Sequence, residues 1–184
     1  MTSSKQIANP NAKPKLFVAD DILEEARQII EVESRAVQAL GKHINGNFIQ
    51  AIELILHSKG HVVVTGMGKS GLVGQKISAT LASTGTPSLY VHAGDMVHGD
   101  LGRITNDDVV LALSNSGEST EILQIVQPLK EQGVPLIAMT GAPQSTLAKA
   151  ADSHLNVQVH TEACPLNLAP TSSTTATLVM GDAI

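Results

Sequence analysis

At 184 residues, 42% hydrophobic and 16% charged, the chain has the composition of an ordinary globular protein with room for one core. A formal charge of −5 with no basic cluster argues against nucleic acid or an anionic membrane as partner, and no Trp, one Tyr and two Phe leave little for stacking bases. The lone Cys164 closes no internal disulfide, nothing near Met1 has the pattern of a signal peptide, and no segment approaches the roughly 18 continuous apolar residues of a membrane span, so a cytoplasmic setting is expected.

Residues 1–15, polar with two prolines, read as a disordered tail, and residues 16–184 as the folded unit. From Asp20 to Ile44, apolar residues recur at three- and four-residue steps behind an acidic first turn, which predicts a long amphipathic helix. A second helix is expected over "NFIQAIELILHSKG", with Gly60 as its C′ residue. The rhythm then changes to short β-branched runs alternating with helical stretches. In order these are strand "HVVVTG", helix 70–84, strand "PSLYVH", a loop through "AGDMVHGDLGRIT", strand "DVVLALS" and a helix ending at Gly133. Strand "PLIAMTG", helix "STLAKAA", strand "SHLNVQV", a loop through "HTEACPLNLAP" and a helix from Thr171 follow. This alternation predicts a parallel sheet covered on both faces, a three-layer αβα sandwich. The last helix is still apolar and uncapped at Ile184, so the chain reads as cut within it.

Two turns carry the chemical signal. In "VVVTGMGKSGLVG", Gly66, Gly68 and Gly71 have dinucleotide-site spacing, and Gly68, Lys69 and Ser70 look like the tail of a Walker A loop. The Walker reading fails because Val63 stands where its first glycine belongs. The dinucleotide reading is weakened because Tyr90, Val91 and His92 occupy the place of the ribose-binding acid. What remains is a glycine turn that lets an anion approach a helix N-terminus, or a tight turn serving packing alone. The second turn, "SNSGEST", places Ser114, Asn115, Ser116 and Ser119 at the mouth of another helix. That is more hydroxyl than an N-cap requires, and it suits a phosphate monoester. In a doubly wound sheet of order 2-1-3-4-5, both turns fall at the crevice between strands one and three. A small phosphorylated molecule is the expected ligand.

"GMGKSG", "SNSGES" and "EACPLNLAPTSSTTATLVMGDA" together resemble the sugar isomerase (SIS) domain, a flavodoxin-like fold, and within it the arabinose-5-phosphate isomerase family. The resemblance spans about residues 20 to 184. It implies interconversion of ribulose 5-phosphate and arabinose 5-phosphate, feeding octulosonate synthesis for lipopolysaccharide, in a homotetramer built from dimers whose sites borrow residues across the interface. It further implies that this chain lacks the rest of the final helix, a histidine-bearing segment and a pair of CBS modules. Phosphate contacts are implied for Ser70, Ser114, Ser116 and Ser119, with help from Thr171, Ser172 and Ser173, and Lys69, His98, Glu121 and Glu162 are implied to surround the sugar. Gly68 and Asn115 complete the expected binding set.

Aldose–ketose isomerisation moves a proton between C1 and C2 through an enediol, so it needs a base and a group that steadies an oxyanion. Glu162, in the loop after the last strand, is the expected base. Glu121 could shuttle a proton or simply favour the helix dipole, and Lys69 could neutralise phosphate or enediolate or be a solvated lysine. The reaction implies no cofactor and requires no metal, although His92 and His98 could take an adventitious ion. Cys164 is expected to be a packed thiol with no basic neighbour to lower its pKa. A sugar-phosphate sensor without catalysis could use the same crevice, but it would not need Glu121, Glu162 or His98.

Overall fold

The structure, a computed structural model, describes residues 19–184. The predicted tail over residues 1–15 lies outside the described residues. The chain runs α1 (Ala19–Leu40), α2 (Gly46–His57), β1 (Val62–Gly66), α3 (Gly68–Ser83), β2 (Ser88–Tyr90), α4 (Ala93–Val97) and β3 (Val109–Leu113). It continues through α5 (Thr120–Glu131), β4 (Leu136–Thr140), α6 (Thr146–Ala150) and β5 (Ser153–Asn156) to α7 (Ser172–Ala183). All strand pairs are parallel, in the order β2-β1-β3-β4-β5 expected from the sequence. β1, β3 and β4 are buried along their whole lengths, as their unbroken apolar runs require in a sheet covered on both sides.

Alternation of side chains divides the core into two layers. Val62, Val64 and Leu111 pack with Ala51 of α2, Ile77 and Leu81 of α3, and Ala176 and Met180 of α7 on one face. Val63, Val110 and Ala112 pack with Met96 of α4, Ile122, Ile125 and Leu129 of α5, and Leu147 of α6 on the other. The αβα sandwich is therefore observed. Among the described residues, no helix is long and apolar enough to cross a membrane.

Three local expectations are corrected. The stretch 93–105 is not simple loop: it forms α4 and a 3₁₀ turn over Asp100–Arg103, because Ala93 and Met96, one turn apart, bury against α5. One turn is too short to show periodicity in sequence. Gly60 is not the C′ residue of α2, which ends at His57 with an extended Ser58 as C-cap. A Cβ at Gly60 would collide with Asp108 Oδ1, so glycine there admits the close approach of Asp108. The first helix stops at Leu40, and Gly41–His43 tighten into a 3₁₀ turn. Gly133, by contrast, closes α5 as expected. It has φ +71°, its N–H donates to Lys130 O at 3.0 Å, and Val134 N–H donates to Leu129 O at 3.0 Å, the paired bonds of a Schellman motif.

Candidate functional site

β1 and β3 run in register to their carboxyl ends, where Gly66 lies beside Leu113. The glycine turn and the serine turn therefore leave the sheet side by side, and α3 and α5 begin directly after them. Gly68 has φ +53°, the left-handed conformation needed to swing from β1 into α3. Gly66 and Gly71 serve close packing, since a Cβ on either would press on the other's backbone. Tyr90 stands at the end of β2, where a dinucleotide site would carry its ribose-binding acid. Its hydroxyl donates to Gly66 O at 3.0 Å and braces the turn from behind. Burial, with the charge of Asp95, pushes the Tyr90 pKa up, so the hydroxyl keeps its proton.

Between the two turns and α7 lies a depression of about 380 Å³, lined by Lys69, Ser70, Asn115, Ser116, Ser119 and Ser173 among others. Neither adjoining helix spends a side chain on its own N-terminus. Met67 cannot cap α3, and Ser119, at the N-cap of α5, has its hydroxyl 2.9 Å from Ser114 Oγ instead. The depression therefore faces the positive ends of two helix dipoles. Lys69 forms no ion pair among the described residues. Ser173 is 2% exposed, and its hydroxyl makes no hydrogen bond of full geometry among the described residues, although it stands close enough to the Glu162 carboxylate to help lower that group's pKa. A buried hydroxyl without a partner is costly unless something other than the protein bonds to it.

Not every expected residue reaches this depression. Ser114 is buried behind it, accepting from Gly117 N–H at 3.1 Å, and so supports the turn. Ser172 is fully buried, its hydroxyl also unpartnered among the described residues, and is not on the lining. Thr171 is committed within the protein: its hydroxyl donates to Glu162 Oε2 at 3.1 Å and accepts from Ala163 N–H at 2.9 Å. Glu121, half-buried in the first turn of α5, and His98, exposed at the end of α4, are both outside the lining.

Glu162 behaves as a helix cap. Its Oε2 accepts from Thr171 N–H at 2.7 Å, Thr171 Oγ1 and Ser173 N–H at 3.2 Å, satisfying the first turn of α7. Burial would raise its pKa, but the hydrogen bonds from Ser173 and Thr171 outweigh burial and hold the carboxyl below its ordinary range. Its side chain lines a separate depression toward Glu25 and Ile29 of α1.

Cys164 departs from expectation. Backbone N–H groups of Ala169, Leu168 and Leu166 lower the pKa of its thiol without any basic side chain. Among the described residues, no three His, Cys, Asp or Glu side chains gather as metal ligands, so His92 and His98 belong to no such cluster.

Sequence reasoning missed Met67, Val73, Pro170, Thr174 and Thr177, which complete the lining. Helical spacing could have found several of them. Val73 stands one turn after Lys69 and Ser70, and Thr174 and Thr177 continue the face begun by Pro170 and Ser173. A larger cavity of about 500 Å³ lies at the opposite edge of the sheet, lined by Gln50, Glu53, His57, Lys59 and Asp107. It sits where strands begin, away from the helix N-termini, whereas open parallel sheets bind ligands at their carboxyl ends.

Residues 55–184 match the SIS domain model. The chain is 58% identical over 164 residues to arabinose 5-phosphate isomerase KdsD of Pseudomonas aeruginosa, and 56% identical to that of Escherichia coli strain K12; each alignment covers 89% of this chain. The chain spans about half the length of these relatives, 50% in each case. Among solved structures it is similar to E. coli CFT073 c3406 in complex with arabinose 5-phosphate, with a TM-score of 0.86 and 41% identity over 91% of this chain and 89% of that one. With the sheet order, the paired turns and these matches in agreement, the chain belongs to the SIS domain family.

Proposed function

We propose that the chain is the sugar-phosphate-binding and catalytic portion of an aldose–ketose isomerase that interconverts D-ribulose 5-phosphate and D-arabinose 5-phosphate through an enediol, supplying octulosonate synthesis for lipopolysaccharide. The observation that carries the reading is the convergence of two uncapped helix N-termini, Lys69 and the unpartnered Ser173 hydroxyl on one depression at the β1–β3 crevice. Such a site holds a phosphate monoester by backbone and hydroxyl donors, and the relatives named above support a pentose phosphate as the ligand.

In this reading Ser70, Ser116, Ser119 and Ser173 hold the phosphate. Lys69, at the rim, steadies the negative charge that develops on the enediolate. Glu162 is the proposed base. It enters as an ionised carboxylate whose Oε1 is left over from capping, and the same hydrogen bonds that fix it lower its basicity. Glu121 is the proposed shuttle, and exposed His98 is proposed to face the sugar in the assembled oligomer. The resemblance to the isomerases supports these three roles; the pocket lining alone does not supply them.

We further propose a cytoplasmic homo-oligomer. α1 buries only Ala36 and Leu40 and leaves Ile22, Leu23 and Ile30 half or more exposed, an apolar surface that a second copy would cover. Light scattering on the purified chain tests this, and a monomer at micromolar concentration would end it.

The function is tested by following the C2 proton of arabinose 5-phosphate in D2O by NMR, with this chain, with a longer chain continued as in the relatives, and with Glu162→Gln. Binding with exchange that Glu162→Gln abolishes is the expected result. Binding without exchange in the longer chain would leave a sugar-phosphate sensor, and exchange unaffected by Glu162→Gln would remove that residue as base.

A further inference from the structure

We propose that Glu118 is a positioning residue for the anion pocket, acting from behind the serine turn through the start of α6. The inference rests on the reading of the pocket as an anion site. A carboxylate two residues from Ser116 and next to Ser119 ought to repel a phosphate, so its presence asks for a reason.

That reason is a relay of hydrogen bonds. Thr146 N–H, at the first position of α6, donates to Glu118 Oε1 at 2.7 Å. Glu118's own N–H donates to Ser116 Oγ at 3.2 Å. With one lone pair of Ser116 occupied in this way, its O–H is left to donate, which is the sense an anion in the pocket requires. The carboxylate thus holds the peptide that orients the hydroxyl, and bonds from the backbone and side chain of Thr146, with the charge of Lys149, keep it ionised below its ordinary range.

The neighbouring contacts fix the same geometry. Leu147 N–H donates to Gly117 O at 3.1 Å and Gly141 N–H to Asn115 O at 3.0 Å, so the β4–α6 turn is a platform under the serine turn. Gly117 has φ +66°, and a Cβ there would collide with Ser145 Oγ, the cap of α6. The serine turn can therefore lie flat on this platform, and Glu118 is the side chain that fastens it.

Three variants of the full chain test the relay: Glu118→Ala, Glu118→Gln and Thr146→Pro. The last removes the donor from the other side of the bond. Proline is favoured at the first helical position, and the preceding Ser145 is already extended at φ −66° and ψ 161°, so the fold should persist. Calorimetry with arabinose 5-phosphate and, separately, with inorganic phosphate gives the affinity, and a melting curve gives the stability. Glu118→Ala and Thr146→Pro should each weaken both ligands by about tenfold with little change in melting temperature, while Glu118→Gln, which keeps an acceptor oxygen, recovers most of the affinity. Unchanged affinity in Glu118→Ala and Thr146→Pro would overturn the inference alone. Tighter binding in both Glu118 variants would do so too, because the carboxylate would then be acting only as a like charge. A parent chain that binds neither ligand would overturn the pocket reading and this inference with it.

Discussion

The four long helices after α1 divide into two kinds at their N-termini. α2 is capped by Asn45, whose Oδ1 accepts from Asn47 N–H at 2.9 Å, and α7 is capped by Glu162 from nine residues upstream of Thr171. α3 and α5 have no side-chain cap, although Ser119 stands ready at the N-cap of α5 and Ser70 is in the first turn of α3. Where the protein only needs a helix to begin, a side chain satisfies the free amides. At the β1–β3 crevice the same residue types are present but bond elsewhere, and the first-turn amides beside the depression are left without a side-chain cap. Serine content alone does not mark a binding turn; serines that leave the helix uncapped do.

The contrast can be attacked directly by adding charge on each side of it. Ser116→Asp should weaken arabinose 5-phosphate by at least about a hundredfold, since like charges about 4 Å apart repel by ~4 kcal/mol at a protein-surface dielectric. Asn45→Asp adds the same charge at α2, where aspartate caps as well as asparagine, and should leave affinity and melting temperature unchanged. Equal affinity losses from both, measured by calorimetry, would mean that net charge and not the local site governs binding.

The opposite edge of the sheet supplies a purely structural counterpart. Asp108, 5% exposed, accepts from His61 N–H at 2.7 Å and from Thr105 N–H at 2.8 Å, tying together the chain before β1 and β3. Burial raises its pKa, but these bonds and the His61 charge more than offset that and lower it. Asp108→Ala should destabilise the fold by about 2 kcal/mol in urea unfolding, because the part-buried amides of His61 and Thr105 both lose a charged acceptor, and should leave ligand affinity alone. A loss of affinity larger than the loss of stability would show that this edge is coupled to the site.

At Ser173 the expected effects are reversed. Its hydroxyl makes no hydrogen bond of full geometry among the described residues, so Ser173→Ala should leave the unfolding midpoint nearly unchanged while weakening arabinose 5-phosphate by about tenfold, the worth of roughly one hydrogen bond. A variant that lost stability but not affinity would make Ser173 an ordinary core residue.

Why was the architecture legible and the detail of the site less so? Strand order and layers follow from apolar runs in β1, β3 and β4 and from helical periods between them, signals carried by many residues at once. The two turns were legible because glycine and serine are concentrated there beyond what capping needs. What could not be read was which hydroxyl points where. Thr171, Ser172 and Ser173 are consecutive, yet one is spent on Glu162, one is sealed in the core and one lines the pocket, because Thr171 stands before the helix, successive helical residues point about 100° apart, and the neighbours that claim them are distant in sequence. Glu162 was legible as a carboxylate at the carboxyl edge of the sheet. Its use as a cap depends on the return of the chain at Thr171, which no local pattern announces.

That cap gives the smallest of the expected effects and the one that reports on pH. Glu162→Ala should cost about 1 kcal/mol, the usual worth of an N-cap, and Glu162→Gln less, since its amide oxygen still accepts from Thr171 and Ser173. Because the folded carboxyl is held below its unfolded value, its contribution is fully present above the ordinary carboxylate range and is lost as pH falls through the lowered folded pKa. The stability difference between the parent and Glu162→Gln should therefore be constant near neutrality and shrink below about pH 4, where the unfolded carboxyl takes up its proton first. Urea midpoints for the pair at several pH values would show this. A difference that did not change with pH would mean that charge at Glu162 does nothing for α7, and that the carboxylate is kept there for its proton chemistry alone.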